Sequence, residues 1–318
     1  VARLGASPVI VVKMNEKDLS EKISRLKEEK NSVILAHNYQ IEPVQLVADY
    51  LGDSLGLARK SAETDADIVV FAGVDFMAET ASMLNPGKKI LLPSKKAECP
   101  MAAMLSAEKI RGTKDENPDA ATVIYVNTFV DARAEADVTC TSSNAVEIVN
   151  ALEEDRVIFG PDRNLAWHVE QKTNKELIKI PEDGHCYVHR MFTSEDVIRL
   201  KEENPRAEVM VHPESDPEVQ MRADHICSTG QMMARAGESD SREFIVGTEI
   251  GLVERLKREF PEKKFIPLSK DAVCEPMKRH TLEKVYKSLK DEIYEVKVPP
   301  KLAERAKKAT ERMLEMSD

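Results

Sequence analysis

Ser194-Glu195-Asp196-Val197-Ile198, then Lys201-Glu202-Glu203-Asn204-Pro205, then Glu208-Val209-Met210-Val211-His212-Pro213, is a run of helix text, polar break and strand text. It has a near copy one period upstream, where Ser106-Ala107-Glu108-Lys109-Ile110 leads through Lys114-Asp115-Glu116-Asn117-Pro118 to Thr122-Val123-Ile124-Tyr125-Val126-Asn127. A third copy precedes both: Ser20-Glu21-Lys22-Ile23, Leu26-Lys27-Glu28-Glu29, then Ser32-Val33-Ile34-Leu35-Ala36-His37-Asn38. Three cysteines keep the same phase, Cys99 lying 87 residues before Cys186 and Cys274 lying 88 after it. A repeat of this kind is one supersecondary unit that buries its apolar face against its neighbours, so the chain reads as three related units.

Composition narrows the class. The 318 residues are 42% hydrophobic and 32% charged, the balance of an ordinary soluble protein, with no apolar run near the length of a membrane span. A net charge of −10 argues against a nucleic-acid partner, which needs a basic footprint. Val9 to Val12 is too short an apolar run for a signal-peptide core. Five cysteines, an odd number, without a secretory signal point to a reducing cytoplasm rather than a disulfide framework.

Along the chain, strand and helix text alternate. In the first unit Leu19 to Lys30 is helical by spacing, Ser32 to Ala36 a strand, Val44 to Tyr50 and Ser54 to Ala62 helical, Ile68 to Phe71 a strand, Phe76 to Leu84 a helix and Lys89 to Leu92 a strand. The second unit has strands at Val123 to Val126, Asp137 to Cys140 and Val157 to Phe159; the third at Val209 to Val211, His225 to Cys227, Phe244 to Val246 and Lys264 to Ile266. Such alternation predicts an α/β fold of small parallel sheets in three pseudo-threefold-related α/β/α units, with ligands bound beyond the strands' carboxyl ends at the common interface. The expected units are 1–99, 100–185 and 186–274, with amphipathic helices in 275–318 returning to complete the first.

Chemistry concentrates at those strand ends, which carry His37-Asn38, Asn127-Thr128, His212-Pro213-Glu214, Thr141-Ser142-Ser143 and Ser228-Thr229-Gly230. Hydroxyls ahead of helices either cap them or receive a carboxylate or phosphate. Three thiolates in repeat phase suit an iron-sulfur cluster with one iron left open, although buried free cysteines also serve as small apolar residues. Cys140 and Cys227 share a phase too; aligned on Asp67-Ile68-Val69-Val70, their counterpart in the first unit is Val70, which marks them as packed core thiols.

At these residues the chain resembles the quinolinate synthase family. The matching text is Ala36-His37-Asn38-Tyr39, Phe76-Met77-Ala78-Glu79-Thr80-Ala81, Cys99-Pro100-Met101-Ala102, Tyr125-Val126-Asn127, Cys140-Thr141-Ser142-Ser143-Asn144-Ala145, Gly160-Pro161-Asp162-Arg163-Asn164-Leu165, Cys186-Tyr187-Val188-His189, His212-Pro213-Glu214, Ser228-Thr229-Gly230-Gln231-Met232, and Cys274 with Met277-Lys278. The resemblance implies one [4Fe-4S] cluster per chain on Cys99, Cys186 and Cys274, acting as a Lewis acid. It implies condensation of iminosuccinate, supplied by an aspartate oxidase or dehydrogenase, with dihydroxyacetone phosphate to give quinolinate, phosphate and water on the route to NAD. The implied substrate-binding residues are His37, Ser54, Tyr125, Val126, Asn127, Ser142, His189, His212, Pro213, Glu214 and Thr229, with Glu214, Tyr125 and His37 catalytic. Two departures stand out: Phe129 and Arg133 replace the small hydroxyl residue and lysine of many members, and the first thirteen residues have no family counterpart. The rival readings are a hydro-lyase acting on a hydroxy acid and a non-catalytic metal-binding or redox-sensing protein.

Overall fold

The computed structural model describes residues 15–317, so the apolar run at Val9 to Val12 lies outside the described residues. The chain writes the same sentence three times. The first unit reads α1 (Glu16–Glu29), β1 (Ser32–His37), α2 (Glu42–Val47), β2 (Tyr50–Gly52), α3 (Ser54–Glu63), β3 (Ile68–Ala72), α4 (Asp75–Leu84), β4 (Lys89–Leu91). The second reads α5 (Ala107–Glu116), β5 (Ala121–Tyr125), α6 (Val130–Arg133), β6 (Val138–Cys140), α7 (Ala145–Asn150), β7 (Arg156–Gly160), α8 (Arg163–Glu170), β8 (Glu176–Lys179). The third reads α9 (Ser194–Glu203), β9 (Glu208–Val211), α10 (Pro217–Gln220), β10 (His225–Ile226), α11 (Thr229–Glu238), β11 (Glu243–Gly247), α12 (Ile250–Glu259), β12 (Lys264–Pro267). Each unit forms a four-stranded, all-parallel sheet in one strand order, β2-β1-β3-β4 and its equivalents, as the alternating text predicts. The central strands β3 and β5 are buried from end to end, and β1, β7, β9 and β11 are buried but for one residue each, as parallel strands covered on both faces should be.

Two short edge strands depart from the sequence reading. Tyr50, expected in a helix, opens β2, because α2 stops at Val47 and the next residues pair with Leu35 to His37. The strand β8 had no expectation at all. These two edge strands are half exposed, so they lack the apolar run that betrays central ones.

One polar contact sets the units in register. An aspartate at the start of each second strand accepts the backbone N–H of a residue 15 positions earlier in the first: Asp49 from Ile34, Asp137 from Thr122 and Asp224 from Val209. Counting on from these aspartates, Gly52, Cys140 and Cys227 are equivalent. The alignment on Val70 is therefore corrected: Val70 lies in β3, a different strand, and the counterpart of the two extra cysteines is Gly52. The same count equates His37 with Tyr125 and His212, Tyr39 with Asn127 and Glu214, and Ser54 with Ser142 and Thr229.

Two further helices follow the repeats, α13 (Leu282–Asp291) and α14 (Pro300–Glu315). Leu282, Val285 and Leu289 of α13 join Leu19 and Ile23 of α1 in one apolar cluster over the first sheet. The α14 helix lies along β6, α6 and α4, where Ala306 packs with Met83 and Val130.

Two buried polar groups brace the seams. Arg133 is fully buried, donates to Thr80 Oγ1 and the Phe76 carbonyl of α4, and lies 3.5 Å from Glu79. It lies away from the cavity described below, so this departure from family text is structural. Arg133→Met is expected to cost about 3 kcal/mol in urea unfolding, since Glu79 loses its cation and Thr80 its donor; a change under about 1 kcal/mol would refute the brace.

His280 donates from Nε2 to the Gly73 carbonyl at 2.6 Å, and burial drives its pKa down to about 4. As pH falls through about 6.5 the unfolded chain takes up this proton first. Stability contributed by neutral His280 is therefore complete above that pH and lost on the way down to about 4. The destabilisation caused by His280→Asn should shrink by roughly 2–3 kcal/mol between pH 7 and 4.5, read by urea titration at both. A pH-independent difference would show that His280 is not held neutral.

Candidate active site

The carboxyl ends of the central strands and the three cysteine loops meet at one cavity of about 70 Å³. Its walls repeat the alignment above. His37, Tyr125 and His212 form one set, Tyr39, Asn127 and Glu214 a second, Ser54, Ser142 and Thr229 a third, and Cys99, Cys186 and Cys274 a fourth. Convergence follows from parallel strands, whose carboxyl ends all point the same way within a sheet. His189 sits just outside this wall, in the turn after Cys186, and reaches Glu214 from there. Val126 and Pro213 do not line the cavity; they shape its backbone, Val126 N–H bonding the Cys140 carbonyl and the Pro213 carbonyl accepting from Gln220.

Glu214 is the hub. Tyr125 donates its hydroxyl to Oε1 at 2.6 Å, Asn127 approaches the same oxygen at 3.5 Å, and His189 Nδ1 stands 2.7 Å from Oε2. Burial pushes this carboxyl up, and its pairing with His212 and His189 and the hydrogen bonds from His189 and Tyr125 pull it below the usual carboxylate range. Glu214 is accordingly a buried carboxylate, acceptor only. Tyr125 is driven the other way, by burial and then by the Glu214 charge, so its phenol keeps its proton.

Backbone geometry sets the histidine tautomers. The Tyr39 N–H donates to Nδ1 of His37 at 3.2 Å, and the Glu214 N–H donates to Nδ1 of His212 at 3.3 Å. Burial lowers the two imidazoles to about 4 and about 3, so both are neutral near pH 7. A neutral ring accepting at Nδ1 carries its proton on Nε2. His212 points that proton at Ser142 Oγ, 3.2 Å away, and stacks on His189 at 4.4 Å. Two neutral imidazole donors thus stand at equivalent places in the first and third units.

The thiols fit a metal centre. Cys99, Cys186 and Cys274 line the same cavity, are unpaired, and each sulfur takes a backbone N–H from the residue three positions on, Ala102, His189 and Met277. In the metal-free chain burial raises all three thiols, Cys274 to about 12, so a cation must supply the charge that draws off their protons. Cys186, His189 and Glu214 also place ligand atoms within 4.8 Å of one another. Cys140 and Cys227 do not reach the cavity.

Two residues outside the expected site set complete the wall, although Tyr39 belongs to the polar cluster His37-Asn38-Tyr39 at the end of the first strand. Tyr39, whose hydroxyl lies 2.7 Å from Thr248 Oγ1, occupies the first unit's equivalent of Glu214. Asp53 caps α3 and gathers Ser143 Oγ at 3.0 Å and Ser228 Oγ at 3.3 Å, tying the first unit to the other two. Strand register, counted from the aspartates of the second strands, would have found Tyr39; nothing local signals the Asp53 contact.

Fold and site together define a protein of three repeated α/β/α units whose strand ends and cysteine loops converge on one cavity. The sequence profile described as "NadA: Quinolinate synthetase A protein" matches residues 21–315. The chain is 57% identical over 301 residues to the quinolinate synthase of Methanothermobacter thermautotrophicus, covering 94% of this chain and 99% of that protein. It is 55% identical over 304 residues to the quinolinate synthase of Thermococcus onnurineus, covering 96% and 100%. Quinolinate synthase 2 of Methanosarcina acetivorans is 48% identical over 306 residues, 96% of this chain and 98% of that protein. The chain belongs to the quinolinate synthetase A family. No helix among the described residues is long and apolar enough to cross a membrane.

Proposed function

We propose that the chain is a quinolinate synthase of NAD biosynthesis that condenses iminosuccinate with dihydroxyacetone phosphate, releasing phosphate and water, in the cytoplasm. The observation that carries this reading is the buried, ionised Glu214 held by Tyr125 and His189 beside three unpaired thiols in one cavity. Aspartate oxidation by a separate enzyme would supply the imine.

Cys99, Cys186 and Cys274 would hold a [4Fe-4S] cluster, which when bound supplies an iron without a protein ligand for Lewis-acid chemistry. This assignment, unlike a single ion on Cys186, His189 and Glu214, leaves Glu214 free for proton work. Glu214 is the base that takes a proton from carbon or nitrogen during isomerisation and dehydration. Tyr125, kept protonated, returns protons to departing oxygen. His37 and His212 present Nε2–H to substrate carboxylates, and Ser54 and Thr229, at the starts of α3 and α11, complete an anion site.

The test supplies dihydroxyacetone phosphate and iminosuccinate, the latter made in place from oxaloacetate and ammonia, to anaerobically purified protein. Quinolinate and phosphate should appear together. Conversion of a hydroxy acid without triose phosphate consumption would favour the hydro-lyase reading, and no turnover by iron-loaded protein would favour a sensor.

A further inference from the structure

Behind each cavity cysteine stands a carboxylate that the mechanism does not use. The Cys99 N–H donates to Asp75 Oδ1, the Cys186 N–H to Asp162 Oδ2 and the Cys274 N–H to Glu249 Oε1, each at 3.1 Å. The acids precede their cysteines by 24, 24 and 25 residues and open the same helix of each unit, α4, α8 and α12. A second bond runs alongside in every unit. The N–H of Asp75, Arg163 or Ile250 reaches the carbonyl of Ala97, Gly184 or Ala272, two residues before the cysteine, at 2.9 Å. The cysteine loop is therefore docked at two points on the helix start, while a short turn grips the sulfur from the other side.

In the second and third units the two oxygens divide the work. Asp162 gives Oδ1 to the N–H groups of Asn164 and Leu165 and Oδ2 to Cys186; Glu249 gives Oε2 to Gly251 and Oε1 to Cys274. Asp162 and Glu249 are fully buried. Lys278, bonded to Glu249 and to the Tyr39 carbonyl, serves the third unit. A helix cap needs one acceptor oxygen, and serine supplies it. Burying a carboxylate costs more than burying a hydroxyl, so a second oxygen turned onto the cysteine N–H calls for a role beyond capping.

We propose that Asp75, Asp162 and Glu249 are the positioning residues of the metal centre, one per unit, which hold the three cysteine loops so that their thiols face one point before any metal arrives. The inference rests on the thiol assignment of the preceding section. Second-shell groups of this kind typically change metal retention ten- to a hundredfold.

Asp162→Ser separates the two roles, since it keeps an oxygen for the α8 cap and removes the one on Cys186. Two measurements read it. In metal-free full-length protein, alkylation of Cys186 by iodoacetamide, followed by mass spectrometry, should quicken roughly tenfold while Cys140 in β6 stays unchanged. In iron-loaded enzyme, loss of iron to a chelator should quicken by a factor of about 10–100. Asp162→Glu, with two oxygens as in the third unit, should restore retention. Asp75→Ala gives the same reading at Cys99; it also takes an acceptor from the Phe76 N–H but leaves the N-cap of α4, Val74, in place, and it decides the matter if the first variant does not fold. Unchanged labelling and retention overturn the proposal, as does labelling of Cys140 that rises in parallel, which would make the carboxylates braces of the whole fold. Failure of the parent to take up iron would remove the cluster assignment, and the Cys186 and Cys99 labelling rates would still decide whether the loops are held.

Discussion

Cys186→Ser is expected to abolish stable iron binding and turnover, whereas replacing Cys140 and Cys227 together with alanine should leave about four irons per chain. The triplet Cys99, Cys186 and Cys274 and the pair Cys140 and Cys227 both share the repeat, so phase alone does not separate them. Place does. Cys140 pairs with Tyr125 from inside β6 and is fully buried, and Cys227 follows β10 without lining the cavity. Their equivalent in the first unit is Gly52, which has no side chain to offer. Cys99, Cys186 and Cys274 instead each precede a short turn, at Ala102–Met104, His189–Met191 and Met277–Arg279, and face the cavity. Serine in place of Cys186 removes the soft ligand while keeping its size, and two thiolates do not hold a cluster that needs three. Iron analysis and visible absorption of anaerobic protein give the answer; a full cluster in Cys186→Ser, or none in the double variant, would reverse the assignment.

Glu214→Gln should lower kcat by roughly a hundredfold or more while fold and iron content persist. The amide keeps the volume and one acceptor oxygen, so Tyr125 retains a partner. It cannot take a proton, and it turns an N–H toward either Tyr125 or His189, where the carboxylate accepted. The loss should fall on kcat more than on KM, because the side chain acts in proton transfer and the anion contacts lie on other residues. Near-normal turnover would demote Glu214 to a structural acid that orders His189.

Much of this was legible in the chain itself. Repeated text and cysteine phase, which are periodic and local, marked three units, their parallel central strands and the three thiols. Residues at or just past strand ends, His37, Asn127, Ser142, His212, Glu214 and Thr229, were marked by the rule that such sheets work at their carboxyl ends, whereas Tyr125 entered with the family resemblance. Edge strands β2 and β8 escaped because half-exposed residues carry no strong period. Only the tertiary structure decided which polar groups meet: that His189, from a turn, orders Glu214, from a strand end; that Asp53 draws Ser143 and Ser228 from the other units to one carboxylate; and that Asp75, Asp162 and Glu249 each hold a cysteine loop. Hydrophobic pattern specifies which face of an element is buried, and it is indifferent to which polar side chain arrives from another unit. That pairing is fixed when the three sheets pack, because a buried polar group left without its partner costs more than the ordering it requires.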